Sequence, residues 1–162
     1  MTIAAKKRYL LIALTVILLD QIAKWMVSSL LPLYGTRELL PGFFRLWHVR
    51  NPGAVWGFFS GHQGGLIPRI ITLLSIFSLL LIGYFFLKID AHCWLELLSF
   101  SLILGGALGN IIDRLRLGYV VDFLDCYFKG HHWPTFNIAD SFISIGVTML
   151  ILSLWRGKCT QF

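Results

Sequence analysis

Two aspartates, Asp122 and Asp140, bracket the stretch VVDFLDCYFKGHHWPTFNIADS at residues 120–141. Asp140 stands at the mouth of an apolar run, residues 138–155. Ionisable groups at membrane depth are costly and are functional candidates by default. Two carboxylates brought close cannot both ionise, so one keeps its proton near neutral pH. The ionised member can then take a proton from water while the protonated one polarises a carbonyl. That is peptide hydrolysis without a metal or cofactor. The two acids lie 18 residues apart, at the ends of one connection, so loop closure can bring them together. Spacing by itself leaves other chemistries open.

Those alternatives have weaker signals. His48, His62, His92, His131 and His132 include no HExxH pattern, which argues against a zinc peptidase. His131-His132 reads as an interfacial loop pair. Cys126 lies four residues past Asp122 and near those histidines, but an apolar-flanked cysteine is usually inert. Ser60-Gly61-His62 has no GxSxG around it. Cys93, Cys126 and Cys159 contain no CxxC, and the sequence suggests neither a disulfide framework nor a zinc pattern. A proton-coupled transporter would also bury acids and a lysine, although few spans leave little room for a translocation path.

The elements that must position these groups are apolar. Of 162 residues, 57% are hydrophobic and only 14% charged, so a bilayer is the solvent for most of the chain. The length suits one domain, 1–162. The net charge of +6 does not indicate nucleic acid, because the bases are scattered and flank apolar runs as membrane proteins use them. Four spans are expected, at about 9–31, 66–87, 94–112 and 138–155, joined on one side by long connections at 32–65 and 115–137. The first begins like a signal peptide but continues past Asp20 with no A-x-A site. Its 23 residues reach roughly 35 Å at 1.5 Å each, enough to cross with tilt.

Asp20 and Lys24 share one face of that span. They read either as a structural pair orienting the helix or as substrate-positioning groups. FFRLWHV at 43–49, between Pro41-Gly42 and Asn51-Pro52-Gly53, reads as a strand. It suggests a small sheet on the membrane surface, with Trp47, Trp56, Phe58 and Phe59 at headgroup depth. Gly105 and Gly109 make a GxxxG spacing that permits close helix approach. A count of bases gives six on the side of the termini and eight on the other, which opposes a termini-inside orientation. The cluster Lys6, Lys7 and Arg8 before the first span favours it.

Four motifs together resemble the lipoprotein signal peptidases (signal peptidase II) of bacteria, over nearly the full length. They are DQIAKW at 20–25, NPGAVWGF at 51–58, GGALGNIIDR at 105–114, and VVDF with FNIADS at 120–123 and 136–141. The resemblance implies four transmembrane helices with a small extracytoplasmic β-cradle and a short surface helix, an all-α membrane protein in class. It implies an aspartic endopeptidase that cleaves signal peptides from diacylglyceryl-modified prolipoproteins, just before the lipidated cysteine. The family's aspartate pair falls on Asp122 and Asp140. Its other characteristic positions fall on Asp20, Lys24, Asn51, Gly53, Gly105, Asn110, Arg114, Asn137 and Ala139, as substrate-binding or supporting residues.

No metal and no cofactor are implied. The implied setting is the bacterial inner membrane, with both termini cytoplasmic and the site near the outer face. The implied partners are prolipoprotein substrates and membrane lipids, and a monomer is expected. Val55 and Trp56 depart from the family's usual alanine and phenylalanine. On this reading the substrate's signal helix packs among the spans, with Gly105, Gly106 and Gly109 admitting it closely. Asn51, Asn110, Arg114 and Asn137 would hold substrate carbonyls, orient the aspartates or bind the lipid head, or make purely structural bonds. The rival from another class is a non-enzymatic membrane binder or transporter of lipidated substrates.

Overall fold

The computed structural model describes residues 6–53 and 65–157. In chain order the elements are α1 (Lys7–Leu30), β1 (Thr36–Leu40), β2 (Phe44–Asn51), α2 (Leu66–Lys88), α3 (Trp94–Leu117), β3 (Val120–Phe128), β4 (His131–His132) and α4 (Ile138–Arg156). Each of the four helices is long and apolar enough to cross a membrane. The expected architecture of four spans and a small antiparallel sheet is therefore present. A short surface helix is not among the elements of the described residues. Val55, Trp56, Phe58 and Phe59 lie outside them.

The helices have unequal surroundings. α3 packs against α1, α2 and α4 and is buried through most of its length. α2 buries only Phe86 fully; Leu79, Ile82 and Phe85 pack one face against the core, and the opposite face is open to lipid. At the end near the termini the core joins Tyr9 and Ala13 to Phe86, Leu97, Phe100 and Leu104. Lys6 closes that end by donating to the carbonyl oxygens of Phe86 at 2.7 Å and Leu87 at 2.9 Å. Cys93, just before α3, is disulfide-bonded, which corrects the expectation of no disulfide, while Cys126 is free.

α3 runs five residues past the end expected at Ile112, to Leu117, with Gly118 turning out at φ 80°. The charges at Asp113 and Arg114 suggest an exit from the membrane. Asp113 is instead 4% exposed and paired inside the bundle, so the helix continues through it.

The second connection is not a loop. Its first half is β3, and the sheet order is β1-β2-β3-β4 with every pairing antiparallel. VVDFLDCYF has the β-branched and aromatic content of a strand. Strand alternation sends Val121 and Phe123 to one face, where they pack with Val27 of α1. It sends Asp122 to the other. His131-His132 forms β4 and is no loose pair. Asp125, fully buried, accepts from Arg45 Nε at 2.6 Å and contacts His132 Nδ1 at 2.9 Å, tying β2, β3 and β4 together.

Candidate active site

The site is assembled where β2, β3 and the ends of α3 and α4 meet. Asp122 reaches it from the third residue of β3. In the β2–β3 ladder Val49 faces Asp122, and Asn51 lies two residues further along β2. Period two puts Asn51 on the same face, so its amide can reach back. Asn51 Nδ2 donates to Asp122 Oδ2 at 2.9 Å. The orientation of that amide is fixed by Gly53, whose backbone N–H donates to Asn51 Oδ1 at 2.9 Å. Gly53 has φ 108°, and a Cβ there would meet the Ile71 side chain of α2 at 2.7 Å. The turn thus demands glycine on both counts.

Asp140 arrives by a different route. It is the third residue of α4, and Asn137 is the N-cap. The Asn137 side chain accepts the Asp140 N–H at 2.9 Å, while Asp140 Oδ2 accepts the Asn137 N–H at 3.2 Å. This reciprocal capping box holds the carboxylate against the helix N-terminus, whose dipole favours negative charge.

Two asparagines bridge the acids. Asn137 Nδ2 donates to Asp122 Oδ1 at 2.8 Å and to Asn110 Oδ1 at 3.1 Å. Asn110 Nδ2 donates in turn to Asp140 Oδ1 at 2.8 Å. A chain Asp122–Asn137–Asn110–Asp140 therefore links the two carboxylates through amides. Asp122 is 2% exposed. Burial, and then the Asp140 charge, push its carboxyl up to about 7, against the opposing pull of the Asn51 and Asn137 bonds and of Lys24. One carboxyl of the pair thus holds a proton close to neutral pH.

Beneath the asparagines lies an ion cluster. Lys24 Nζ contacts Asp20 Oδ2 at 2.8 Å, Asp113 Oδ2 at 3.0 Å and Asn110 Oδ1 at 2.9 Å. Three donors meet three acceptors, so the ammonium has none left for a substrate. The Asp20–Lys24 pair is thus bonded within the bundle. Asp20 Oδ1 also accepts the Ala139 N–H at 2.9 Å, fastening α1 to the first turn of α4. Ala139 is fully buried there. The cluster orients Asn110, and Asn110 orients Asp140.

Arg114 donates through Nη1 to the Asn110 carbonyl at 3.4 Å. Its Nε is buried and, among the described residues, has no hydrogen-bond partner. The guanidinium lies in the field of Asp140, Asp122 and Asp113.

Of the residues singled out from the sequence, Asp122, Asp140, Asn51, Asn110 and Asn137 are joined directly by hydrogen bonds. Lys24 bonds to Asn110 and Gly53 to Asn51; Asp20 and Ala139 lie behind Lys24, and Arg114 stands beside the acids. Gly105 is not at the acids. The glycines do not admit a foreign helix either, which corrects that expectation. A Cβ at Gly105 would strike the Ala13 carbonyl at 2.7 Å, and one at Gly106 the Ala139 carbonyl at 2.5 Å. One at Gly109 would strike Asp20 Oδ2 at 2.6 Å. Their close neighbours are this chain's own α1 and α4.

Asp113, one of the polar residues at membrane depth in the sequence, and Gln21, which the sequence did not mark, also take part. Asp113 binds Lys24 and accepts the Val121 N–H at 3.1 Å, coupling α3 to β3. Gln21 donates to Asp113 Oδ1 at 2.9 Å. Asp113 lies three residues past Asn110, on the same helical face. Cys126 sits four residues along β3 from Asp122, roughly 13 Å at strand rise. It is remote from the acids.

A family model described as signal peptidase (SPase) II matches residues 12–156. A lipoprotein signal peptidase of Syntrophotalea carbinolica is 40% identical over 156 residues, covering 96% of each chain. One of Aeromonas hydrophila subsp. hydrophila is 45% identical over 154 residues, covering 93% of this chain and 90% of that one. Among solved structures, one described as a bacterial membrane enzyme superposes with a TM-score of 0.80 at 35% identity. It covers 96% of this chain and 94% of its own.

Proposed function

The chain belongs to the signal peptidase II family, and from that premise we propose that it is an aspartic endopeptidase acting through Asp122 and Asp140. The observation that carries this reading is the amide-bridged pair, with Asp122 pushed up to about 7 beside the Asp140 charge. The pair shares one proton at working pH. The ionised carboxylate takes a proton from water as its oxygen attacks the scissile carbonyl carbon. The protonated carboxyl donates to the carbonyl oxygen. Collapse of the tetrahedral adduct breaks the C–N bond, and the leaving amine takes up the proton. The assignment of acid and base belongs to the coupled pair and not to either residue alone.

The substrates are diacylglyceryl-modified prolipoproteins, cut just before the lipidated cysteine. Their acyl chains stay in lipid against the bundle, each buried CH2 contributing about 0.8 kcal/mol to anchoring. Asn51, Asn110 and Asn137 hold the carboxylates in place, and the incompletely bonded Arg114 offers a cation beside them. The protein works as a monomer in the bacterial cytoplasmic membrane. Both termini lie inside, and the sheet and site lie at the outer face.

The test uses purified protein in detergent with lipidated precursor, read as the gel shift to mature lipoprotein. Asp122→Asn and Asp140→Asn keep shape and remove the proton chemistry. Each is expected to be folded and to lose cleavage entirely, with EDTA leaving the unaltered protein unaffected. Substantial turnover by either folded variant sinks the dyad. Binding of precursor without cleavage by the unaltered protein would instead support a carrier.

A further inference from the structure

A cavity of about 270 Å³ opens where the ends of α1 and α3 meet β2 and β3. Asp122, Asp140, Asn51 and Asn137 do not line it. Its walls carry Trp25, Ser28, His48, Arg50, Arg116 and Tyr119. We propose that this cavity binds the phosphate of a phospholipid headgroup, held between Arg50 of β2 and Arg116 of α3.

Charge supports an anion. Arg50 and Arg116 are exposed, and neither forms a hydrogen bond or ion pair with any described residue. Arg50 is held over the Tyr119 ring at 4.8 Å, which fixes its guanidinium at the rim. The acid facing the cavity is Asp113, and its carboxylate is already taken by Lys24, Gln21 and the Val121 N–H. Lys24 is likewise matched, by Asp20 and Asp113. His48 Nδ1 is bonded to the Leu31 carbonyl at 3.0 Å. Two guanidiniums without an acid partner therefore line a hollow whose one acid, Asp113, is already paired, and phosphate oxygens would complement them.

Depth selects a lipid over a soluble anion. Ser28 lies 21 residues after Lys7 on α1, roughly 32 Å along the helix. The hydrocarbon core is about 30 Å thick, so the cavity opens in the headgroup layer. Trp25, 70% exposed beside it, has the chemistry of an interfacial anchor. Ile22, Met26 and Leu115 are exposed nearby and offer acyl chains a path down the spans. Arg50 immediately precedes Asn51, so a bound headgroup would clamp the strand end that orients Asp122.

The experiment is native mass spectrometry of the purified protein in detergent with phosphatidylglycerol, with diacylglycerol and inorganic phosphate as separate arms. The unaltered protein is expected to retain phosphatidylglycerol and not diacylglycerol, and millimolar phosphate should not displace it. Arg50→Gln with Arg116→Gln should lower retention by about tenfold or more. Arg37→Gln, on exposed β1, should not change it, and equal melting temperatures would exclude misfolding. Equal retention by the double variant overturns the proposal. Retention of diacylglycerol overturns the phosphate, and binding of inorganic phosphate without lipid assigns the cavity to a soluble anion.

Discussion

The Asn137 side chain donates to Asp122 Oδ1 at 2.8 Å, fifteen residues back in sequence and in a different element. The same side chain caps α4 through the Asp140 N–H. One residue thereby sets the position of one carboxylate and the backbone that carries the other. Helix capping and site geometry are here a single structural requirement.

That double role can be separated. Asn137→Ser retains an N-cap oxygen but has no amide to bridge Asp122 and Asn110. Asn137→Ala removes both. Loss of the cap costs about 1 kcal/mol, so the alanine variant should melt below the serine variant. Both should cut lipoprotein in vitro at least about tenfold more slowly, as expected when positioning is lost. A serine variant with full kcat would mean that the bridge is not needed for cleavage.

The pH dependence follows from Asp122, whose carboxyl rises from an ordinary 3.8 to about 7. A pair sharing one proton loses its working form once the second carboxyl ionises. The kcat/KM profile should fall above pH about 7, approaching tenfold per pH unit. A profile flat from pH 7 to 9 would contradict the shared proton.

Stability should respond with a defined sign. The folded state holds the Asp122 proton more tightly than the unfolded one. Its contribution is fully present below pH about 4 and is lost as pH rises to about 7. Asp122→Asn stays neutral, so its melting temperature relative to the unaltered protein should be higher at pH 8 than at pH 4. An unchanged difference across that range would contradict the raised value.

Lys24→Met should be among the most damaging changes away from the acids. Asp20 and Asp113 are 0% and 4% exposed and would face each other without their cation. Breaking such a buried pair costs about 3–5 kcal/mol. Thermal unfolding in detergent would measure it, and a variant as stable as the unaltered protein would refute the structural role.

Glycine packing has its own contrast. A Cβ at Gly106 would lie 2.5 Å from the Ala139 carbonyl, a backbone atom that cannot swing aside, while one at Gly83 meets nothing within 4 Å. Gly106→Ala should separate α3 from the first turn of α4, lowering melting temperature and cleavage together. Gly83→Ala should be neutral or gain up to about 1 kcal/mol from helix propensity. Similar behaviour of the two variants would show that the close α3–α4 approach is not required.

The sequence by itself determined the four spans, because apolar runs that long have few other solutions. It also marked the acids and asparagines, because polar groups in an apolar chain stand out by their cost. The strand at residues 43–49 was legible from its aromatics and flanking turns. β3 was not, because FLDCYFKGHHWP reads as a loop until β2 lies alongside to pair it. The end of α3 was misplaced for a related reason. Asp113 and Arg114 look like an exit to water, and only Lys24, contributed by α1 across the bundle, makes Asp113 an interior residue. The glycines were recognised as close-approach positions, but which helix approaches was decided by α1 and α4. A residue's cost in the membrane is a local property, readable one position at a time. Its partner is a non-local property, since the 80 to 119 residues separating Arg45 from Asp125, Lys24 from Asn110, and Asp20 from Ala139 are closed only by the fold.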